Sequence, residues 1–373
     1  MLIRILFQTI FFCALAVNLY AATILTGTSA GMKYQVEEVA SGLGVVWGMA
    51  FFSTHELLFT EREGRIKKIH LMSKEVTDLL GDPAVFAKGQ GGMLDVAVPE
   101  NVAQDDWVYF TYVKENKGEG VTVLARTHVI KDRLTDWQDL LITDSATDTN
   151  RHFGSRITFD DKGHVFFSVG DRGVRPNGQD TSNHAGTIIR LNIDGSVPED
   201  NPFKGEEGRE EIWSFGHRNP QGLFYDVDRS ILWENEHGPR GGDEINIIEA
   251  GKNYGWPVVS HGKEYWGPLQ VGEAKSKAGM IDPVKVYIPS IAPGSLLVYS
   301  GKAFSEWRGN LFSGALALVH LNRVVLDDKN NPVSEERMLS DLDERIRALA
   351  ESPEGWLYLS TDSGRILCIK PRL

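Results

Sequence analysis

A single pattern constrains this chain more than any other: a short apolar strand, a polar turn carrying Gly or Asp, then a second apolar strand, six times over. The first strands are Met49-Ala-Phe-Phe, Leu94-Asp-Val-Ala-Val, Ile157-Thr-Phe, Gly222-Leu-Phe-Tyr-Asp, Ser295-Leu-Leu-Val-Tyr and Ala348-Leu-Ala-Glu. Their partners are Glu56-Leu-Leu-Phe-Thr, Trp107-Val-Tyr-Phe-Thr, Val165-Phe-Phe-Ser-Val, Ile231-Leu-Trp, Asn310-Leu-Phe-Ser and Trp356-Leu-Tyr-Leu-Ser. No stretch sustains heptads or a long helical period. Units recurring at roughly 45–70 residues in an all-β chain predict a six-bladed β-propeller, since one unit cannot bury its apolar face alone.

Further strand-like pieces, such as Arg65-Ile-Lys-Lys-Ile, bring each unit to about four antiparallel strands, but the last unit has only three. Tyr34-Gln-Val-Glu-Glu-Val39 is expected to supply the missing outer strand and close the ring, which would otherwise expose strand edges. A β-sandwich or an incomplete barrel is the competing architecture on periodicity alone. The Gly-rich stretches 170–187 and 238–256 are expected between units, as loops on one face where function concentrates.

With 38 glycines, 15 prolines and 24% charged residues, the composition is that of a turn-rich globular protein. The formal charge of -12 argues against a nucleic-acid partner, which needs a basic footprint. Met1-Leu-Ile-Arg4, the apolar run from Ile5 to Val17 and the small residues Ala21-Ala22 form the pattern of a cleavable signal peptide. The expectation is a leader over 1–21 and one domain over 22–373, periplasmic or secreted, with no stable membrane anchor and a monomeric or weakly dimeric state. Cys13 leaves with the leader and Cys368 stays alone, so no intrachain disulfide holds the mature fold.

The densest polar constellation lies around the third and fourth units. His152 precedes one strand and Asp171 follows the next, so a hairpin brings both to one edge. A carboxylate orienting an imidazole leaves the second nitrogen free as a general base, although the same residues also occur as plain turn-formers. Arg218-Asn219 sits ahead of a strand, where it is either a solvated turn or a stabiliser of developing negative charge. Glu236-His-Gly-Pro-Arg-Gly-Gly-Asp-Glu244 offers the hard oxygen donors that calcium takes, without an EF-hand loop. Arg345 and Arg347 share a strand face, suited to clamping carboxylates or to lying in solvent. Gly89-Gln90-Gly91-Gly92 lacks the Lys and helix of a phosphate loop. No zinc-type His-x-x-x-His pair and no Gly-x-Ser-x-Gly elbow occurs.

Together these strings resemble the soluble quinoprotein sugar dehydrogenases, and their aldose branch more than their glucose branch. Val46-Trp-Gly-Met-Ala-Phe51, Gly89-Gln-Gly-Gly-Met-Leu-Asp95, His152-Phe-Gly-Ser-Arg156, Gly170-Asp-Arg-Gly173, Glu211 to Gly222, Glu236 to Asn246 and Gly251-Lys-Asn-Tyr-Gly-Trp-Pro257 carry the resemblance, in order. It implies pyrroloquinoline quinone and Ca2+ as cofactors, an aldose as substrate and an external electron acceptor. It also implies His152 as base, Asp171 as its orienter, and Arg218 and Asn219 at the quinone oxygens. Gln90, Arg345 and Arg347 would bind the cofactor, and the carbonyls of Gly238 and Pro239 its calcium. A second calcium would lie between the Glu244 side chain and the Tyr254 carbonyl.

Two departures accompany the resemblance. Ala317 stands where a cofactor-pairing lysine is expected and Ile288 where a tryptophan is, which predicts an open, poorly discriminating sugar site. The alternatives are a propeller that binds a carbohydrate or protein without turnover, and a calcium-dependent lactonase.

Overall fold

The computed structural model describes residues 22–99 and 106–372. The expected leader over 1–21 lies outside them. Six antiparallel sheets make up the fold, with three short 3-10 turns and no longer helix among the described residues.

The first blade is Val46–Phe51, Glu56–Glu61, Arg65–His70 and Glu75–Asp78, numbered outward from the axis. The second is Met93–Ala97, Trp107–Asn116, Glu119–Ile130 and Arg133–Ile142, and the third Ile157–Phe159, His164–Val169, Thr187–Asn192 and Ile212–Phe215. The fourth comprises Pro220–Asp226, Ile231–Glu236, Asp243–Ile248 and Lys285–Tyr287. The fifth runs Pro293–Val298, Leu311–Ala315, Leu321–Leu326 and Pro332–Met338. The sixth holds Ile346–Glu351, Leu357–Thr361 and Ile366–Pro371, then Met32–Ala40 paired to the last of these, then Thr23–Ser29. Each innermost strand touches the next around the circle, and that of the sixth blade touches that of the first, so all six pack about one axis.

Period-two alternation on both faces of every blade produces the core. Each gap between neighbouring blades is filled by its own apolar cluster. Leu58 meets Phe110 between the first two blades, and Tyr109 meets Val165 in the next gap. Phe166 meets Leu232 between the third and fourth, and Trp233 meets Leu296 between the fourth and fifth. Phe312 meets Leu359, and Tyr358 meets Leu57, in the last two gaps. Each such side chain, fully buried, contributes roughly 1.5–3 kcal/mol, so stability is spread around the ring.

The loop placement differs from the sequence expectation. Segment 170–187 lies inside the third blade, joining Val169 to Thr187, and 238–256 contains the strand Asp243–Ile248. Its glycines cluster ahead of Asp243 and mask the alternation that follows. The long excursion of the fourth blade is instead 249–284.

Candidate active site

The loops before and after the strand Ile157–Phe159 and its partner His164–Val169 carry the central pair. His152 adopts a left-handed backbone (φ 56°), rare for a residue with a side chain. The Gln90 side-chain carbonyl accepts its backbone N–H at 2.7 Å and fixes that turn. His152 Nδ1 lies 2.6 Å from Asp171 Oδ1. The Gly173 N–H donates to the same oxygen at 2.6 Å, and the Trp256 indole N–H to Oδ2 at 2.8 Å.

Burial pushes the His152 pKa down, and the nearby Arg218 charge adds to this against the opposing hydrogen bond and charge of Asp171. Burial would raise Asp171, but its hydrogen bond with His152 and the charges of His152 and Arg218 outweigh it and hold the carboxyl low. The outcome is a neutral imidazole beside an ionised carboxylate, the arrangement of a general base.

Arg218 is buried at 8% exposure and donates to the His237 and Gly238 carbonyls, both at 2.8 Å. These partners are carbonyls rather than a carboxylate, so no direct ion pair holds the guanidinium. Asn219 sits beside it, its side-chain oxygen accepting from Gly154 N–H at 3.4 Å and Gln221 at 3.3 Å. Burial, then the positive charges of Arg218, His152 and Arg347, push His237 down to about 3. Basic groups from three blades thus converge on one point.

Arg345 and Arg347 share a face as expected, but what they clamp is Asp362. Arg345 Nε lies 2.7 Å from Oδ2, and Arg347 reaches Oδ1 at 2.5 Å and Oδ2 at 2.9 Å. Asp362 was not legible as a partner, because strand pairing across the hairpin, not sequence spacing, sets it there.

A cleft lined by Arg218, Glu236, Gly238, Pro239, Glu244 and Trp256 opens beside the pair. Gly238 O accepts from Arg218 and Pro239 O from Ser290 Oγ at 3.1 Å, so the Gly-Pro turn is held by protein donors. Each carbonyl keeps a second lone pair. Glu244 is pushed well up by burial and by the like charges of Glu236 and Asp243, with Tyr254 lining the same cleft. Buried like charges of this kind fit a cation, and the converging basic groups fit an anionic cofactor bearing carboxylates. Ile288 is 67% exposed beside Gly241, and Ala317 is half-buried with its N–H on Ile291 O, so neither walls the cleft with a large or charged side chain.

Sequence reasoning missed Trp256, His237 and Glu236 as site residues. Each sat inside a quoted string, yet no spacing rule ties them to a pocket built from the third and fourth blades.

A family profile described as Glucose / Sorbosone dehydrogenase matches residues 43–368. The chain is 38% identical over 347 residues to the aldose sugar dehydrogenase YliI of Escherichia coli, covering 90% of this chain and 93% of that one. The apo crystal structure of the soluble aldose sugar dehydrogenase of Escherichia coli superposes with a TM-score of 0.87 at 35% identity, over 91% of this chain and all (100%) of that one. The PQQ-bound aldose sugar dehydrogenase of Streptomyces coelicolor superposes with a TM-score of 0.75 at 25% identity, covering 91% and 99%. A profile match spanning most of the chain, on a six-bladed ring with a His-Asp pair at its edge, makes this protein a member of the glucose/sorbosone dehydrogenase family.

Proposed function

We propose that the protein oxidises aldose sugars at the anomeric carbon to lactones, using pyrroloquinoline quinone held with calcium and passing electrons to an external acceptor. The observation that carries this reading is the buried His152–Asp171 pair, kept neutral on the imidazole and set beside the Arg218 guanidinium, whose hydrogen-bond partners are carbonyls. Family membership and relatives that are sugar dehydrogenases support the substrate class. When bound, the quinone supplies the two-electron acceptor for the anomeric hydride.

The chain's own residues supply positioning and proton transfer. His152 Nε2, the nitrogen not engaged by Asp171, takes the anomeric hydroxyl proton. Asp171 fixes the tautomer and stabilises the imidazolium that forms. Arg218, with Asn219 beside it, lies where negative charge develops and favours it electrostatically. Arg345 and Arg347, organised by Asp362, and Gln90, which fixes the His152 turn, line the binding region. The free lone pairs of the Gly238 and Pro239 carbonyls would hold one calcium, and Glu244 with the Tyr254 carbonyl a second. The exposed Ile288 and small Ala317 fit a broad aldose range. The pattern of residues 1–21 supports export to the periplasm or medium.

The test is reconstitution. Purified protein given pyrroloquinoline quinone and calcium should reduce a dye with glucose and other aldoses. Absence of both turnover and quinone binding by absorbance would refute the reading.

A further inference from the structure

Behind the cleft, on the face of the fourth blade that packs against the third, three polar side chains are fully buried together. His217, Glu234 and Asn246 are at most 1% exposed, and Glu236 3%. Glu234 and Glu236 lie two apart on one strand and therefore share a face, with Asn246 and Glu244 opposite them on the next strand. His217 comes from the loop ahead of the blade and stacks on Tyr254, ring centroids 4.8 Å apart.

Each of three side chains has one atom anchored and one turned to a common point. Ser214 Oγ holds His217 Nε2 at 2.9 Å, and with the proton on Nε2 the Nδ1 lone pair faces inward. Asn246 donates to Glu234 Oε2 at 2.9 Å, leaving Glu234 Oε1 without a partner. The backbone N–H groups of Arg218 and Asn219 donate to Glu236 Oε2 at 2.5 and 3.1 Å. Glu236 Oε1 then faces His217 Nδ1 at 3.6 Å, too far for a hydrogen bond, and Nδ1 has no other partner.

One ligating atom from each of the three residues lies within 4.8 Å of the others. The charged groups that bear on Glu234 are Glu236 and Glu244, both acidic. Two buried carboxylates and an imidazole nitrogen, each oriented by an outer hydrogen bond, are the composition of a metal site, and unpaired buried polar atoms are otherwise costly.

We propose that His217, Glu234 and Glu236 bind a first-row transition-metal dication of the zinc type between the third and fourth blades. The nitrogen donor separates this site from calcium, which takes oxygens only. Glu244 lies on the same blade face but outside the three-residue constellation. Glu236 also lines the cleft, which gives the ion a way in. Bound there, the ion ties the loop that carries Arg218 and Asn219 to the blade behind it, through Glu236. The proposal stands apart from the quinone reading.

The experiment uses the whole mature protein with no quinone present. After chelator treatment, zinc is added in the presence of excess calcium and bound metal is measured by mass spectrometry after desalting. One zinc per molecule is expected. Its dissociation constant should rise by at least about tenfold in His217→Ala and in Glu234→Gln, and severalfold in Ser214→Ala, which removes an outer-sphere partner. Cobalt put in place of zinc should show visible d–d bands that change in His217→Ala. Glu234→Gln conserves shape and lifts a buried charge, so its fold survives, checked by near-UV circular dichroism. The proposal is overturned by the absence of stoichiometric zinc, by unchanged affinity in both ligand variants, or by zinc lost only in Glu244→Gln.

Discussion

Trp256 donates its indole N–H to Asp171 Oδ2 at 2.8 Å, on the carboxylate oxygen that His152 does not use. Trp256 thereby competes with the imidazole for the carboxylate's charge and fixes its rotation. A hydrogen bond to a charged group is worth roughly 1.5–3 kcal/mol. Trp256→Phe keeps an aromatic ring, though a smaller one, and removes the donor. We expect kcat to fall about tenfold, with the acid limb of the pH profile moved upward, because a less encumbered Asp171 raises the His152 pKa. A purely structural Trp256 would lower stability and leave that limb in place.

The pH dependence follows from the proposed role of His152 as base. Burial and Arg218 set His152 below its ordinary value of 6.5, and only the neutral form accepts a proton. Activity should therefore be flat through neutral pH and decline on acidification, with a midpoint under 6.5. In His152→Ala turnover should fall by about 10²–10⁴ and the acid limb disappear. Initial rates across buffers of constant ionic strength measure both.

Four residues after His152, Arg156 has partners in three other blades. Its Nη1 lies 2.5 Å from Asp95 Oδ1, its Nε donates to Gln221 O at 2.9 Å, and its guanidinium stacks on Trp47. Both ions of the pair are fully buried, Asp95 raised and Arg156 lowered by that burial. Arg156→Met leaves Asp95 uncompensated and should cost about 3–5 kcal/mol, read as a lower denaturant midpoint. The double variant with Asp95→Leu should recover much of the loss, since apolar replacement of a buried pair is often neutral.

Cys368 packs at 3% exposure in the last blade, and burial pushes its thiol up to about 12. A thiolate is the reactive species, so the folded protein lacking residues 1–21 should resist a thiol reagent at pH 8. Denaturation should release one reactive thiol per chain. Labelling of the native protein at the rate of a free cysteine would contradict this packing.

The ring was legible in the sequence because strand alternation is local: Leu57-Leu58-Phe59 or Val165-Phe-Phe167 state both buried faces within three residues. His152 and Asp171 were legible because a single hairpin joins them. What could not be seen is contact between distant segments, or contact that strand register alone fixes. Trp256 reaches Asp171 over 85 residues of sequence, and Asp362 meets Arg347 across a hairpin whose register no spacing rule fixes. Glu234 misleads most: in Trp233-Glu-Asn-Glu236 alternation assigns the acids to solvent, yet both are buried, because the opposite face meets another blade. In the inner strands of a propeller both faces meet a neighbouring blade.

The pairing of Met32–Ala40 with Ile366–Pro371 has a consequence for how the molecule is made. Val36 is fully buried, yet its strand partner Ile369 comes from a segment far removed in sequence. Until the two segments meet, the strand Met32–Ala40 carries an unmatched apolar edge. Because contacts so distant in sequence form late, whatever shelters that edge in the meantime governs the yield of folded protein.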